Sequence, residues 1–341
     1  MTAHRIGTLA FVDPCCARGY TPAALSSGGL GGTEATVLRV ATALSQQIEV
    51  LHFQKSRTDT ARTEAGLMRP LTEAFAPRPA ITFVVINAWK VACKLRKSQP
   101  EARILLWLHV HPGRHNRPMA KALAQAGIAV ICVSASHAAT LRGFLGDGPP
   151  LSIDHVYNPI ATGLVSDDTP HDPDRLLFAS SPHKGLAQVF SHFRAARAAI
   201  PSLTLAVADP GYLAWDTGPV PDGVTFLGAL PQAQLIGEMR RALCLFYPQR
   251  HFAETFGLVM AEANAVGLPV LAHHDIGANA EVLGDRAQLI DATDEALIID
   301  RLRAWRARRP NVAANPAFRL DAVMQRWRDV LNTSHRMEKV A

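Results

Sequence analysis

Short apolar runs alternate along the chain with longer segments whose apolar residues recur every three or four positions. In the first half the runs Ile6–Val12, Ile48–Phe53, Ile81–Ile86, Ile104–His109, Ala129–Val133 and Ile153–Tyr157 predict strands. The segments Thr33–Gln46, Trp89–Ser98, Met119–Ala126 and Ser136–Phe144 predict helices between them. The strand runs are rich in Val, Ile and Leu with little polar alternation, the pattern of parallel strands covered on both faces. Right-handed crossovers then make this half a doubly wound α/β domain.

Residues 161–175, ATGLVSDDTPHDPDR, are polar and carry two prolines, which predicts a linker. The alternation then restarts. Strands are expected at Leu176–Ala179, Leu203–Ala208, Val224–Leu227, Leu243–Tyr247, Val270–Ala272 and Ala287–Ile290. Helices are expected at Gly185–Ala199, Gln232–Ala242, Gly257–Ala265, Asn279–Leu283, Asp294–Ala307 and Leu320–Asn332. The expected architecture is two tandem Rossmann-like doubly wound domains, 1–160 and 176–341, with an interdomain cleft and a last helix free to pack back on the first domain. Ligands of such sheets bind beyond the carboxyl ends of the strands.

Composition narrows the class. The 341 residues suggest about two domains, at roughly 150 residues each. A hydrophobic share of 48% with 19% charged residues excludes a disordered chain. No apolar run reaches the ~18 residues of a membrane span, and the N-terminus lacks the order of a secretory signal. Five cysteines, an odd number without CxxC spacing, predict reduced thiols in a cytoplasmic protein. The net charge of +6 is uneven: residues 1–160 carry 17 Lys+Arg against 9 Asp+Glu, and residues 161–341 carry 18 against 20.

Four segments carry candidate chemistry. In SSGGLGGTE, Ser26–Glu34, glycines precede a predicted helix whose free N–H groups suit an anion. The loop matches neither a dinucleotide fingerprint nor a P-loop, and a surface loop reads equally well. In LLWLHVHPGRHN, His109 ends a strand where α/β enzymes place reactive groups. It is either a substrate contact or a hydrogen-bonded strand end, and its neighbours His111 and His115 lack metal-site geometry. In FASSPHKGL, Lys184 stands at the start of a predicted helix, against the dipole, which suggests an anion there or an exposed lysine. In YPQRHFAETFGLVMAEANAVGLPV, Glu254 and Glu262 lie eight residues apart. Were that stretch all helical, they would sit about 80° and 12 Å apart, able to bind two sets of hydroxyls. The bland alternative is a dipole partner and a solvated glutamate. Asp172-Pro173-Asp174 and His273-His274-Asp275 are weaker metal signals and read as linker and turn.

In order and spacing, GGLGGTE, WLH, VICVSASHAATL, VYNPI, SSPHKGL and ETFGLVMAEANAVGLPVL resemble the retaining glycosyltransferases of family 4, which have the GT-B fold. The last segment matches their E-x7-E signature, and the likeness covers nearly the whole chain. The resemblance implies a nucleotide-sugar co-substrate, UDP- or GDP-linked, with no cofactor and no metal. It implies that Glu254 contacts the transferred sugar, Glu262 the ribose, and backbone groups of Thr255, Phe256 and Gly257 the sugar and diphosphate. Lys184 would neutralise the diphosphate, His109 would lie near the sugar, and Gly31 and Gly32 would let the first domain close over the phosphates. Many relatives carry an arginine ahead of the Lys-Gly. Here Ala179-Ser180-Ser181-Pro182 has none, and Arg250 is the candidate substitute. Their Gly-x-Gly reads Asp209-Pro210-Gly211.

The expected function is retaining transfer of a hexose-type sugar to an acceptor hydroxyl, in cell-envelope glycan or glycolipid synthesis. The alternatives are a GT-B-like epimerase or hydrolase, and a silent sugar-nucleotide-binding protein. The charge asymmetry puts the basic excess in the expected acceptor domain. There Lys90, Lys94 and Lys97 share one face of WKVACKLRK. That face is either solvated or meets an anionic membrane at its inner surface, with a glycan or lipid-linked acceptor. No basic-aromatic interleaving points to nucleic acid.

Overall fold

In the computed structural model, residues 7–27, 30–78, 81–211 and 214–332 are described. Their strands are β1 (Thr8–Asp13), β2 (Glu49–Gln54), β3 (Ala61–Thr63), β4 (Gly66–Pro70), β5 (Ile81–Ile86), β6 (Arg103–Trp107), β7 (Ala129–Cys132) and β8 (Ile153–His155), then β9 (Arg175–Ala179), β10 (Thr204–Ala208), β11 (Val224–Phe226), β12 (Cys244–Tyr247), β13 (Val270–His273) and β14 (Leu289–Ile290). The helices are α1 (Ala24–Ser27), α2 (Gly32–Ser45), α3 (Trp89–Ser98), α4 (Met119–Gln125) and α5 (Ala135–Leu145), then α6 (Leu186–Ala199), α7 (Gln232–Arg241), α8 (Leu258–Ala265), α9 (Asn279–Leu283), α10 (Glu295–Ala307) and α11 (Leu320–Asn332). None is long and apolar enough to cross a membrane.

The chain divides into two compact units. The first comprises the described residues of Met1–Pro22, Gly31–Pro159 and Arg319–Ala341. The second comprises those of Ala23–Leu30 and Ile160–Phe318. The first unit's sheet runs β3-β4-β2-β1-β5-β6-β7-β8. Seven strands are parallel, and β3 joins the edge antiparallel to β4. This hairpin was not anticipated. Its turn needs Gly66 at φ +115°, where a Cβ would lie 2.2 Å from the Val50 carbonyl oxygen. The central strands are apolar on both faces, so they bury completely, as parallel strands between helix layers do.

The closing helix α11 belongs to this first unit. Trp327 meets Trp107 of β6 edge-on, ring centroids 4.7 Å apart, with both rings buried. Such a pair adds about 0.5–1.5 kcal/mol beyond the area it buries. The Arg103 guanidinium donates to the carbonyls of Leu331 (2.5 Å) and Val330 (2.6 Å), placing a cation on the helix's carboxyl end. Arg326 pairs with Asp154.

The second unit's sheet is fully parallel, in the order β11-β10-β9-β12-β13-β14. Phe178, Phe190, Phe193, Phe246, Tyr247, Phe256 and Phe318 are buried in this unit. The carboxyl ends of neighbouring strands in this order therefore form one row, about 4.8 Å per step.

Candidate functional site

In the second unit, β9 and β12 are neighbours, so the segments leaving them meet. β9 runs through Ser180 and Ser181 into a 3-10 turn, Pro182–Lys184, which ends on Gly185 at φ +93°. A Cβ on Gly185 would lie 2.6 Å from Cβ of Gln249, so the turn rests directly on the segment that follows β12. Gln249 is buried and braces that segment. Its Oε1 accepts the N–H groups of His251 (2.9 Å) and Phe252 (2.7 Å), and its Nε2 donates to Phe252 O (2.8 Å).

These turns bring two of the expected residues together. The Lys184 ammonium donates to both oxygens of Glu254, at 2.9 and 3.1 Å. It also lies 4.7 Å from the centre of the Phe252 ring. Glu254 is only 7% exposed. Its Oε1 also accepts from the Tyr247 hydroxyl at 3.1 Å. Burial, then the Glu254 charge, pushes the Tyr247 phenol well above its usual range, so it stays protonated and donates. The loop after β13 clamps the Glu254 backbone from behind. Ala278 N–H donates to its carbonyl at 2.9 Å, and a Cβ on Gly277 would lie 2.6 Å from its nitrogen.

The helical spacing expected for the two glutamates does not hold, because α8 begins only at Leu258. Gly257 caps it in the left-handed region, φ +88° and ψ 57°, and residues 254–257 approach as a turn. Glu262 lies in α8, buried, and accepts from Gln232 Nε2 at 3.0 Å at the start of α7. The Phe256 ring packs edge-on to Phe318, 5.0 Å between centroids. Arg250 is exposed after β12, and its N–H donates to Gln188 Oε1 at 2.7 Å. Lys184 stands ahead of α6 rather than within it, and the anion that offsets it in this structure is Glu254.

Several site partners escape a reading of the sequence. Tyr247 reads there as a strand end, and Gln249 and Gln232 carry no motif. Asn264 of α8 exchanges amide hydrogen bonds with Gln288 at 2.8 and 3.0 Å, which fixes the helix against the next segment. Asp172-Pro173-Asp174 is structural: Asp174 pairs with Arg306 at 2.7 Å. Among the described residues one group could hold a metal, His273, His274 and Asp291, with Asp291 in place of the expected Asp275. His273 Nδ1 already accepts from Ala292 N–H at 3.1 Å.

The remaining expected residues lie in the first unit. Gly31 caps α2 and Gly32 is its first residue. A Cβ on Gly31 would lie 2.4 Å from the Glu34 carboxylate, which folds over the helix start. Gly28 and Gly29 of the loop lie outside the described residues. His109 follows β6, buried, its ring 4.5 Å from that of Trp107. Its N–H donates to Oδ1 of Asn87 at 2.7 Å, and Asn87 itself adopts φ +57°. Burial, then His137, lowers His109 to about 3, so its imidazole is neutral at pH 7. His111 meets the His137 ring edge-on at 4.9 Å, while His115 lies exposed in a separate 3-10 turn.

Residues 170–313 match the family described as glycosyl transferases group 1. No curated protein sequence matches the chain. Solved structures similar in fold include the following three. One is alpha,alpha-trehalose 6-phosphate synthase from Burkholderia multivorans, 12% identical over 96% of each chain, TM-score 0.65. A second is Anabaena Alr3699/HepE, solved with UDP and glucose, 15% identical over 95% of this chain and 99% of that one, TM-score 0.62. A third is AviGT4, a glycosyltransferase involved in avilamycin A biosynthesis, 14% identical over 95% and 96%, TM-score 0.56. The chain has the GT-B fold, and the part of it that forms the Lys184–Glu254 centre matches the group 1 glycosyl transferases.

Proposed function

We propose that the protein is a retaining glycosyltransferase of the family 4 type, moving a hexose-type sugar from a UDP- or GDP-sugar to an acceptor hydroxyl. The observation that carries this is the Lys184–Glu254–Tyr247 cluster at the carboxyl ends of β9 and β12, where a doubly wound sheet binds its ligand. An ammonium can donate three hydrogen bonds, and Glu254 takes at most two, which leaves one for a diphosphate oxygen. Glu254 keeps acceptor sites for sugar hydroxyls, and Glu262 would take the ribose. Backbone groups of Thr255, Phe256 and Gly257, in the turn that leads into α8, would share the diphosphate charge. Arg250 would add a second cation. His109 would give a neutral hydrogen bond to the transferred sugar, and Gly31 and Gly32 an approach to the phosphates.

In the step itself, the bond from the sugar's anomeric carbon to the diphosphate oxygen breaks, and its electron pair leaves with the phosphate. The acceptor oxygen bonds to that carbon on the same face, and the departing phosphate oxygen takes the acceptor's proton. The side chains position the donor and stabilise leaving-group charge, the work a metal ion does elsewhere. A panel of UDP-, GDP-, ADP- and TDP-sugars, scored by thermal shift and acceptor-free turnover, tests this. A UDP- or GDP-sugar is expected to raise the melting temperature with little turnover until acceptor is added. Full turnover without acceptor would favour an epimerase or hydrolase, and binding with no turnover on any acceptor a silent binder.

The acceptor is proposed to be a cell-envelope glycan or lipid-linked sugar, met from the cytoplasmic side at the membrane's inner face. Support comes from α3, where Lys90, Lys94 and Lys97 are all exposed on one side. Two of them lie over aromatic rings, Lys90 5.6 Å from Trp89 and Lys94 4.6 Å from Phe75. Co-sedimentation with vesicles should rise with anionic lipid and fall with salt. Equal, salt-insensitive binding would refute it.

A further inference from the structure

Of the five tryptophans, Trp215 is the exposed one, at 58%. A single exposed apolar side chain is ordinary on a protein surface. What distinguishes Trp215 is its place. It stands on the segment that leaves β10 at the carboxyl edge of the second sheet, and described residues on either side of it are held. Asp209 Oδ1 accepts Gly211 N–H, and Asp216 Oδ1 accepts Gly218 N–H, both at 2.9 Å. Arg194 donates to Pro219 O at 2.9 Å. The indole meets the His183 ring at 6.0 Å, His183 meets Phe252 at 5.4 Å, and Phe252 lies under the Lys184 ammonium. An aromatic wall thus runs from the Lys184–Glu254 pair out to an open indole.

The order of the sheet says what that wall would hold. Going along β11-β10-β9-β12, the residues at the carboxyl ends are Gln232 beyond β11, Trp215 beyond β10, Lys184 beyond β9 and Glu254 beyond β12. Strand spacing puts the β10 and β12 ends about 10 Å apart. A nucleotide sugar with its sugar at Glu254 and its diphosphate at Lys184 has its nucleoside end on the β10–β11 side. Gln232 and the Glu262 that it holds are polar groups suited to hydroxyls, and Trp215 offers a flat apolar face.

We propose that Trp215 is the stacking platform for the nucleobase of the donor. This rests on the nucleotide-sugar reading above and adds the residue that grips the base. Every base offers a π-face, so stacking supplies affinity while hydrogen bonds elsewhere choose the base.

The test is titration of UDP, GDP and ADP, each without sugar, and of the corresponding nucleotide sugars, into wild type, Trp215→Ala and Trp215→Phe, with thermal melts as the control for folding. Alanine replacement of a stacking aromatic costs about five- to a hundredfold in affinity. The expected result is therefore roughly tenfold or more weakening in Trp215→Ala for whichever nucleotide wild type binds, with most of it restored in Trp215→Phe. Equal affinity of wild type and Trp215→Ala for that nucleotide would overturn the proposal. So would a loss seen only with the sugar-bearing donor, which would put the sugar on the indole. If wild type binds none of the three, the nucleotide-sugar reading itself falls, a result distinct from either.

Discussion

Glu254→Gln is expected to lower turnover at least tenfold and to leave the protein folded, and Lys184→Ala to do the same. The two changes reach this result differently. Glutamine keeps the size of Glu254 and can still accept from the Tyr247 hydroxyl, so the packing behind it survives. It lacks the charge that holds Lys184, and its amide offers one acceptor oxygen where the carboxylate offers two. Sugar hydroxyls that donate to the carboxylate would then face an N–H group. Lys184→Ala leaves a carboxylate that is 7% exposed without its ammonium, so it should also cost stability, as removing one partner of a buried pair does. Steady-state rates with the donor identified by the panel, together with thermal melts, decide the matter. Wild-type-like transfer by both variants would sink the site assignment.

The second large effect is a loss of stability in mild acid. Burial lowers three histidines of the first unit: His52 to about 4, His109 to about 3 and His137 to about 4. The unfolded chain protonates these imidazoles near pH 6.5, while the folded one does so only below about 4. Their contribution is whole above pH 6.5 and drains as pH falls toward their folded values. At pH 5 each has lost roughly 2 kcal/mol, against a domain stability of about 5–15 kcal/mol. Asp13 and Glu34 work the other way, since burial raises both and protonation favours their folded state as pH falls. Three imidazoles outweigh two carboxyls over most of this window. Denaturant midpoints should therefore fall clearly between pH 7 and pH 5. His52→Gln, which keeps a donor for the Ala65 carbonyl that His52 Nε2 meets at 3.0 Å, should remove about a third of the fall. Midpoints that stay level across that range would show the imidazoles to be better solvated than their burial implies.

The strands and long helices were legible because each carries its own apolar period, and burial rewards that period locally. The β3–β4 edge was not. Ala61–Thr63 and Gly66–Pro70 are short and carry Arg62 and Arg69, so their pairing rests on the turn at Gly66 rather than on an apolar pattern. The site divides in the same way. Glu254 and Lys184 stood out individually, one by spacing and one by its place before a helix. Their contact did not, because seventy residues separate them and only the β9–β12 pairing brings them together. Tyr247 was hidden by being an aromatic residue in an apolar strand. The turn over residues 254–257 was hidden by Gly257, whose left-handed conformation starts α8 later than a helical repeat suggests.

The place of α11 has a consequence for the order in which the protein takes shape as it is made. The second unit needs nothing beyond Phe318, whereas the first unit still lacks the helix that covers Trp107 and Arg103. At ribosomal speeds of about 5–20 residues per second, the first sheet waits while about half of the chain is synthesised before that face is covered. Assembly therefore runs in reverse: of the two units, the one whose sheet is translated earlier is the later to close.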